Sequence, residues 1–222
     1  MSSWLKKYRY VLIVLGVCCM TFLLLPVVQF EEENNTILET GDGVLLSARI
    51  TSDGQWRFPP CDSVPYKLGQ CIRYFEDEYF TYHPGVNPVS LGKALVRNIR
   101  AGRIVSGGST ISMQVVRLSR KGKARTLYQK GIEIVLALRL ELGRNKEEIL
   151  ELYASYAPFG GNVVGIEAAA WRYYGRPSYQ LSWGEAATLA VLPNAPSLIY
   201  PGRNQEELRA KRDRLLYKLE QK

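Results

Sequence analysis

The chain has 222 residues, of which 46% are hydrophobic and 23% are charged, with a formal net charge of +8 at pH 7. These proportions are ordinary for one globular domain with an attached segment, and the sequence contains no internal repeats or low-complexity stretches. The four cysteines and the single histidine form no set with zinc-ligand spacing, which excludes a zinc site of that type.

The N-terminal segment contains an uncharged run of 20 residues, 11–30, directly after three basic residues. At a rise of about 1.5 Å per residue, a helix of this length spans the roughly 30 Å of a bilayer's hydrocarbon core. The run is longer than the apolar core of a cleavable signal peptide and lacks a small-residue cleavage site. It predicts a retained transmembrane signal anchor, with residues 1–10 in the cytoplasm and the rest of the chain on the exterior side.

The remaining chain divides into three predicted parts. Residues 31–60 contain Gly-Asp-Gly and Ser-Asp-Gly turn signals beside short β-favouring runs, which predicts a connector with a short β-hairpin. Residues 61–205 have a helical pattern and are expected to form the main domain, and residues 206–222 are expected to form a highly charged C-terminal helix. The predicted fold class is therefore mainly α, on a single N-terminal transmembrane helix.

Capping signals place several helices of the main domain. Three helices are predicted before residue 145, with these bounds: Pro88 to Gly102, Thr110 to about Ser119, and Arg125 to Leu142. Residues 134–138 are apolar on every side, which predicts that the third of these helices is buried. Three capping boxes follow, each with a glutamate three positions after the cap: Asn145 with Glu148, Ser182 with Glu185, and Asn204 with Glu207.

The distribution of charge is more informative than the net charge. From Tyr79 to Ile132 the chain contains no Asp or Glu. The same stretch contains ten cations: Lys93, Arg97, Arg100, Arg103, Arg117, Arg120, Lys121, Lys123, Arg125 and Lys130. Because a solvated helical face usually mixes both signs, this block predicts an anionic partner. Outside the membrane, phosphate headgroups or a phosphorylated substrate fit this partner better than nucleic acid, which is not expected.

A cluster of acidic residues precedes the basic block. Glu76 follows an apolar helical position, and partial burial there would raise its pKa toward that of a useful general base; the alternative is a surface acid paired with Arg73. Asp77 and Glu78 are interpreted as structural, for instance capping or salt-bridging a nearby helix end. His83 is interpreted as a hydrogen-bonding turn residue, since no second histidine could complete a metal pair.

Two further features could belong to the same site. Glu133 is the first acid after the basic block, with Lys130 and Gln129 on the same helical face; the alternative is a buried ion pair without a catalytic role. The segment "SGGSTISMQ", residues 106–114, combines glycines, hydroxyls and a helix start, which could offer backbone N–H groups to an anion. The alternative for this segment is an ordinary loop with a helix N-cap.

Several motifs occur in a fixed order: "EDEYFTYHPG", "GGSTISMQ", "QKGIE", "KEEILELYAS", "VVGIEAAAWRYYGRP" and "LSWGEAATLAVLPNAPS". In order and spacing they resemble glycosyltransferase family 51, the peptidoglycan glycosyltransferases, over residues 45–205. The chain departs from the family pattern at four positions, where Ser112, Met113, Gln129 and Ser155 replace the usual Thr, Gln, Arg and Asn. Gln129 removes one cation from the third motif, which is expected to weaken phosphate binding.

The resemblance implies a lysozyme-like bilobal fold and a reaction in which lipid II is polymerised into glycan strands at the cytoplasmic membrane, on its exterior (periplasmic) side. By similarity, Glu76 would be the general base, and Glu133 would support the donor side by orienting cations or a divalent metal ion (Mg or Mn) around the leaving group. The resemblance implies these substrate-binding residues: Asp77, Lys93, Ser109, Thr110, Gln114, Arg117, Arg125 and Lys130. Expected partners are lipid II, the lipid-linked glycan chain, the membrane and cell-wall synthesis proteins.

Some alternatives remain open at this point. The chain lacks Ser-x-x-Lys followed by Ser-x-Asn and Lys-Thr-Gly, so we expect no transpeptidase domain, and either a monofunctional enzyme or a truncated bifunctional relative. A lysozyme-like glycoside hydrolase is a rival, although a neutral glycan would gain little from ten cations. A non-catalytic membrane scaffold is the second rival. Cys61 and Cys71 could form a disulfide, which their spacing does not decide.

Overall fold

A computed structural model describes residues 3–30, 34–41, 44–103, 107–121 and 126–222. The described helices are α1 Ser3–Leu24, α2 Tyr66–Glu76, α3 Pro88–Ala101, α4 Ile111–Ser119, α5 Leu127–Gly143, α6 Lys146–Tyr156, α7 Ile166–Tyr174, α8 Trp183–Val191 and α9 Gln205–Glu220. The described strands are β1 Thr36–Glu39, β2 Leu45–Arg49, β3 Trp56–Arg57 and β4 Val163–Val164. The predicted mainly α class is confirmed.

The strands form two small pairs. β1 and β2 pair antiparallel between residues 36 and 49, inside the segment where the sequence predicts a hairpin. β3 pairs parallel with β4, which ties the chain before the helical domain to the loop between α6 and α7. Cys61 and Cys71 are free thiols, so no disulfide adds to these connections.

Most of the predicted helix boundaries are confirmed by their caps. The Asn87 side chain accepts a hydrogen bond from the Ser90 N–H, and Gly102 ends α3 in the left-handed region with φ 62°. The capping boxes that begin at Asn145 and Ser182 are both present. The third box is wrong. Asn204 has φ 53° and caps nothing, because its amide donates to the Leu198 carbonyl oxygen instead.

The core lies between two groups of helices. α8 packs against α2, α7 and α9, while α4 packs against α5 and α6. The buried side chains of α2 and α4 include Leu68, Ile72, Met113 and Val116, each with no solvent exposure. These two helices therefore fix the positions of the polar segments that follow α2 and precede α4.

The prediction that α5 is buried over residues 134–138 is wrong. Only Ala137 and Leu140 are fully buried in this helix, and Val135 is 42% exposed. The physical reason is that α4 covers a single side of α5, so an all-round apolar sequence still leaves one face open among the described residues. The exposed side chains of α5 include the apolar Leu127, Val135 and Leu142.

The N-terminal helix joins the domain at its C-terminal end. The Leu25 carbonyl oxygen accepts a hydrogen bond from Arg139 Nε at 3.1 Å, and Phe30 stacks on Tyr156 with ring centroids 3.7 Å apart. Among the residues whose structure is described, no helix combines the length and apolar character required to cross a membrane.

A buried polar network connects α4, α5 and α6. Lys146 Nζ lies 2.7 Å from Glu141 Oε2 and also donates to the His83 carbonyl oxygen at 2.7 Å. The Ser112 hydroxyl donates to Glu141 Oε1. Glu141 is 8% exposed and Lys146 is 20% exposed, so the pair is largely shielded from water.

Replacing Lys146 with Met is expected to lower the free energy of unfolding by about 3 kcal/mol, because it leaves the Glu141 charge buried without its cation. The matched control is Arg144→Met, which removes an exposed partner of Glu148 and is expected to change the free energy of unfolding by less than about 0.5 kcal/mol. Denaturant unfolding followed by tryptophan fluorescence measures both. Equal losses in the two variants would contradict the structural role of the pair.

Candidate active site

A cavity of about 620 Å³ lies between the C-terminal end of α2 and the N-terminal part of α4. It brings together these residues predicted from the sequence: Glu76, Asp77, Lys93, Ser109, Thr110, Gln114 and Arg117. Lys130 and Glu133 contact members of this lining set. Arg125 lies outside the described residues. The cavity also has lining residues that the sequence analysis did not select, namely Pro193, Asn194 and Lys218.

Glu76 is the last residue of α2, and its carboxyl group points into this cavity. Its Oε2 atom accepts a hydrogen bond from Gln114 Nε2 at 2.7 Å. Its Oε1 atom is buried and has no hydrogen-bond partner among the described residues. Burial raises the pKa of Glu76 above the ordinary value of 4.5, although Gln114, Tyr153 and Arg117 oppose that rise. The carboxylate of Glu76 is therefore desolvated and more basic than that of an exposed glutamate, which suits a general base.

Tyr153 closes the inner side of the pocket around Glu76. Its side chain is fully buried, and its hydroxyl interacts electrostatically with the Glu76 carboxyl. No hydrogen bond of ordinary distance and angle joins the hydroxyl to a described residue. Burial raises the pKa of Tyr153 well above its ordinary value, so the hydroxyl stays protonated and cannot itself act as the base.

Glu76 and Glu133 are connected through Gln114 and Arg117. Arg117 Nη2 donates to Gln114 Oε1 at 3.4 Å, which turns the amide nitrogen of Gln114 toward Glu76. Arg117 Nη1 lies 3.9 Å from Glu133 Oε2. Glu133 is only 12% exposed and Arg117 is 33% exposed.

The observed partners of each glutamate can be compared with its two interpretations, while the catalytic roles stay predictions. Glu76 binds Gln114 rather than the Arg73 of the surface-acid alternative. Glu133 does form an ion pair, but its cation is a cavity residue, so the pair belongs to the site. Two carboxylates 57 positions apart are therefore held around one cavity.

Asp77 and His83 are paired with each other and connect the end of α2 to the start of α4. Asp77 Oδ2 lies 2.9 Å from His83 Nε2 and accepts a hydrogen bond from the N–H of Ile111, the first residue of α4. Since the Gly85 N–H donates to His83 Nδ1, the proton of a neutral His83 lies on Nε2 and is donated to Asp77. The predictions that Asp77 caps a nearby helix and that His83 is a turn residue are confirmed.

The loop before α4 is held between α3 and α5. Lys130 Nζ donates to the Gly107 carbonyl oxygen at 2.6 Å and to Ser109 Oγ at 3.2 Å. Gly108 has φ 52°, and a Cβ atom there would lie 2.9 Å from the Ser90 carbonyl oxygen, so this close approach requires glycine. Partial burial lowers the pKa of Lys130 from its ordinary value. Lys130 therefore acts first as a brace for the loop that carries Ser109.

The interpretation of the same segment as an ordinary loop with a helix N-cap is confirmed at two N–H groups, which are capped by side chains. The Ile111 N–H is occupied by Asp77, and the Met113 N–H is occupied by the Thr110 hydroxyl oxygen. Those groups are not available to an anion. The cations that line the cavity directly are the side chains of Lys93, Arg97, Arg117 and Lys218.

Two of the four departures from the family pattern have visible structural roles. Ser112 donates to Glu141, and Ser155 Oγ accepts a hydrogen bond from the Cys61 N–H at 3.2 Å. The Gln129 Oε1 atom is buried and has no hydrogen-bond partner among the described residues. The described part of the chain contains no group of three or more His, Cys, Asp or Glu side chains that could hold a metal ion.

Residues 43–220 match the family model described as Transglycosylase. The chain is 41% identical over 202 residues to penicillin-binding protein 1C of Escherichia coli (strain K12), covering 87% of this chain and 25% of that protein. It is 42% identical over 137 residues to the biosynthetic peptidoglycan transglycosylase of Herminiimonas arsenicoxydans, covering 59% of each.

A solved structure gives a weaker similarity. The crystal structure of penicillin-binding protein 1A from Haemophilus influenzae aligns with a TM-score of 0.42 and 21% identity, over 84% of this chain and 18% of that chain. This score is too low to support a shared fold by itself. The chain spans about a quarter of the length of the curated penicillin-binding protein 1C that it matches.

Proposed function

Because the chain belongs to the transglycosylase family, we propose that it is a peptidoglycan glycosyltransferase that polymerises lipid II into β-1,4-linked glycan strands. The observation that carries this proposal is the linked pair of carboxylates. The Glu76 carboxylate is desolvated, and Gln114 and Arg117 connect it to Glu133 beside a cavity lined by cations. This arrangement suits a reaction that needs one base and a stabilised anionic leaving group.

In the proposed reaction, the Glu76 carboxylate takes the proton of the acceptor sugar's 4-hydroxyl group. The hydroxyl oxygen then attacks the anomeric carbon of the lipid-linked glycan chain from the face opposite the leaving group. The new bond has the β configuration, and the bond to undecaprenyl pyrophosphate breaks. The desolvated setting of Glu76 favours this proton transfer, because its raised pKa makes it a stronger base than an exposed glutamate.

The negative charge of the leaving pyrophosphate is stabilised by cations that are already fixed in place. Arg117 is held by Gln114 and Glu133, and Lys130 is held by the loop at Gly107 and Ser109. Because these groups need no reorganisation during the reaction, their electrostatic contribution is large. Lys93 and Thr110 complete the proposed substrate-binding set, and Asp77 contributes by holding the start of α4.

A divalent cation stays a prediction. The described residues do not supply a metal centre of their own, and none of the proposed steps uses a metal ion. A test is the polymerisation rate after exhaustive chelation and after Mg²⁺ or Mn²⁺ is restored.

The membrane attachment is also part of the proposal. The uncharged run 11–30 is proposed to be a single-pass anchor that holds a lysozyme-like bilobal domain on the exterior side of the cytoplasmic membrane. Apolar side chains are exposed on α1 between Tyr8 and Leu24, and Leu95, Val96 and Ile99 are exposed on α3. Such surfaces suit a site whose lipid-linked substrate stays in the bilayer. Cell-wall synthesis proteins are the proposed protein partners.

The test is incubation of the purified full chain in detergent with fluorescently labelled lipid II. Longer glycan products support the proposal. Cleavage of finished peptidoglycan without polymerisation would indicate a glycoside hydrolase. If neither product forms, and a Glu76→Gln variant keeps the cellular role of the wild type, a non-catalytic scaffold is indicated.

A further inference from the structure

Two lysines of the C-terminal helix α9 contact residues near or at the cavity, and one of them, Lys218, contacts the segment that carries Glu76. Lys218 Nζ donates to the Tyr74 carbonyl oxygen at 2.8 Å and lies 2.8 Å from Glu78 Oε2. The ammonium group also lies 5.7 Å from the centre of the Tyr74 ring. One heptad earlier, Lys211 Nζ donates to Asn194 Oδ1 at 3.1 Å. Asn194 and Lys218 both line the 620 Å³ cavity, so α9 is attached to two of its walls.

The Tyr74 carbonyl group lies in the last turn of α2, where carbonyl oxygens have no partner within the helix. Asp77, at φ −159°, ends the helix without a glycine cap. Its N–H donates to the Arg73 carbonyl oxygen. An ammonium group at this end satisfies a terminal carbonyl and suits the helix dipole. Lys218, a residue of α9, therefore caps the C-terminal end of α2, which has no cap from its own residues.

The position of the cap relative to Glu76 gives it a functional meaning. Lys218 binds the chain two residues before Glu76 and two residues after it. Glu78 is bound by Lys222 as well, at 3.3 Å, and the hydrogen bond from Lys218 is the main cause that lowers the pKa of Glu78. The segment that carries Glu76 is thus held at both ends by α9.

From this geometry, and on the basis of the proposed function, we infer that Lys218 is a positioning residue for the general base Glu76. It acts through the Tyr74 carbonyl group and the Glu78 carboxylate. A displacement of about 1 Å in a catalytic group can lower a rate by roughly 100-fold, so this clamp affects turnover even though Lys218 takes no proton.

The test compares Lys218→Met, Lys218→Arg and the control Arg214→Met, which removes an exposed cation from the same helix. For lipid II polymerisation, Lys218→Met is expected to lower kcat by about 10-fold. KM is expected to change by less than about twofold, because substrate binding is not the function that is lost. Lys218→Arg keeps the charge and the donors and is expected to restore most of kcat. Arg214→Met is expected to behave as wild type.

Two kinetic results would overturn the inference. One is equal kcat for Lys218→Met and Arg214→Met. The other is a rise in KM at unchanged kcat, which would make Lys218 a substrate ligand instead.

A second measurement does not depend on the substrate. At the end of α2, the Asp77 N–H donates to the Arg73 carbonyl oxygen and the Phe80 N–H donates to the Asp77 carbonyl oxygen. Hydrogen exchange at these two amides is expected to be faster in Lys218→Met than in Arg214→Met. Equal exchange would contradict the clamp. If the wild type does not polymerise lipid II, the proposed function fails, and the exchange measurement still decides whether Lys218 holds this segment.

Discussion

Glu76→Gln is expected to lower kcat for lipid II polymerisation by about 100- to 10,000-fold, the range typical for loss of a general base. The amide keeps the shape of the side chain and an acceptor for Gln114 Nε2, so the pocket should keep its structure. It cannot accept the acceptor sugar's proton. The matched control is Glu206→Gln, an exposed glutamate on α9 outside the cavity, which should retain wild-type kcat. Retention of more than a third of wild-type kcat by Glu76→Gln would exclude Glu76 as the base.

The same substitution has an expected signature in stability. Burial raises the pKa of Glu76 in the folded chain above its ordinary value of 4.5, so the folded state holds this proton more tightly than the unfolded state. The contribution of protonated Glu76 to the free energy of unfolding is therefore lost as pH rises through the folded pKa. A glutamine at this position does not ionise, so Glu76→Gln does not lose stability in this way. Its Tm at pH 8 is expected to equal or exceed that of the wild type, with the difference shrinking toward pH 4.5.

Glu133→Gln is expected to lower kcat by about 100-fold, since it weakens the fixed field around the leaving group. Without the Glu133 charge, Arg117 loses its 3.9 Å ion-pair partner, and the guanidinium group is no longer held between Glu133 and Gln114. The control is Glu147→Gln, an exposed residue of α6. A kcat unchanged in Glu133→Gln would return Glu133 to the alternative of an ion pair without a catalytic role.

Comparing the two variants separates their roles. Glu76→Gln removes the proton acceptor, so raising the pH should not restore its rate. Glu133→Gln leaves that acceptor in place, so its remaining activity should still depend on the ionisation of Glu76.

The sequence predicted the parts of the site that lie within local motifs. Glu76 and Glu133 are indicated by their local sequence and Gln114 by its motif position; Glu76 and Gln114 line one cavity, and Glu133 pairs with Arg117 beside it. The caps at Asn87 and Asn145 were also predictable, because each depends on residues no more than four positions apart.

The parts that escaped prediction depend on long-range packing. Lys218 is one of many charged residues in α9, and only the packing of α9 on α2 makes it a cap for the catalytic segment. The interpretation of Glu78 as a salt-bridging residue is confirmed, but its partners Lys218 and Lys222 could not be named from the sequence for the same reason. Asn204 fails as a cap because its left-handed backbone is set by the turn before α9, which a capping-box pattern does not report.

The central claim is that a desolvated Glu76 is the base of a lipid II polymerase, and the pH dependence of kcat/KM for polymerisation by the wild-type chain tests it most directly. The account predicts an acid limb in which activity falls as pH is lowered through the raised pKa of Glu76, with a midpoint above 4.5. This limb should be missing from the residual activity of Glu76→Gln. A midpoint at or below 4.5, or the same acid limb in Glu76→Gln, would contradict the account.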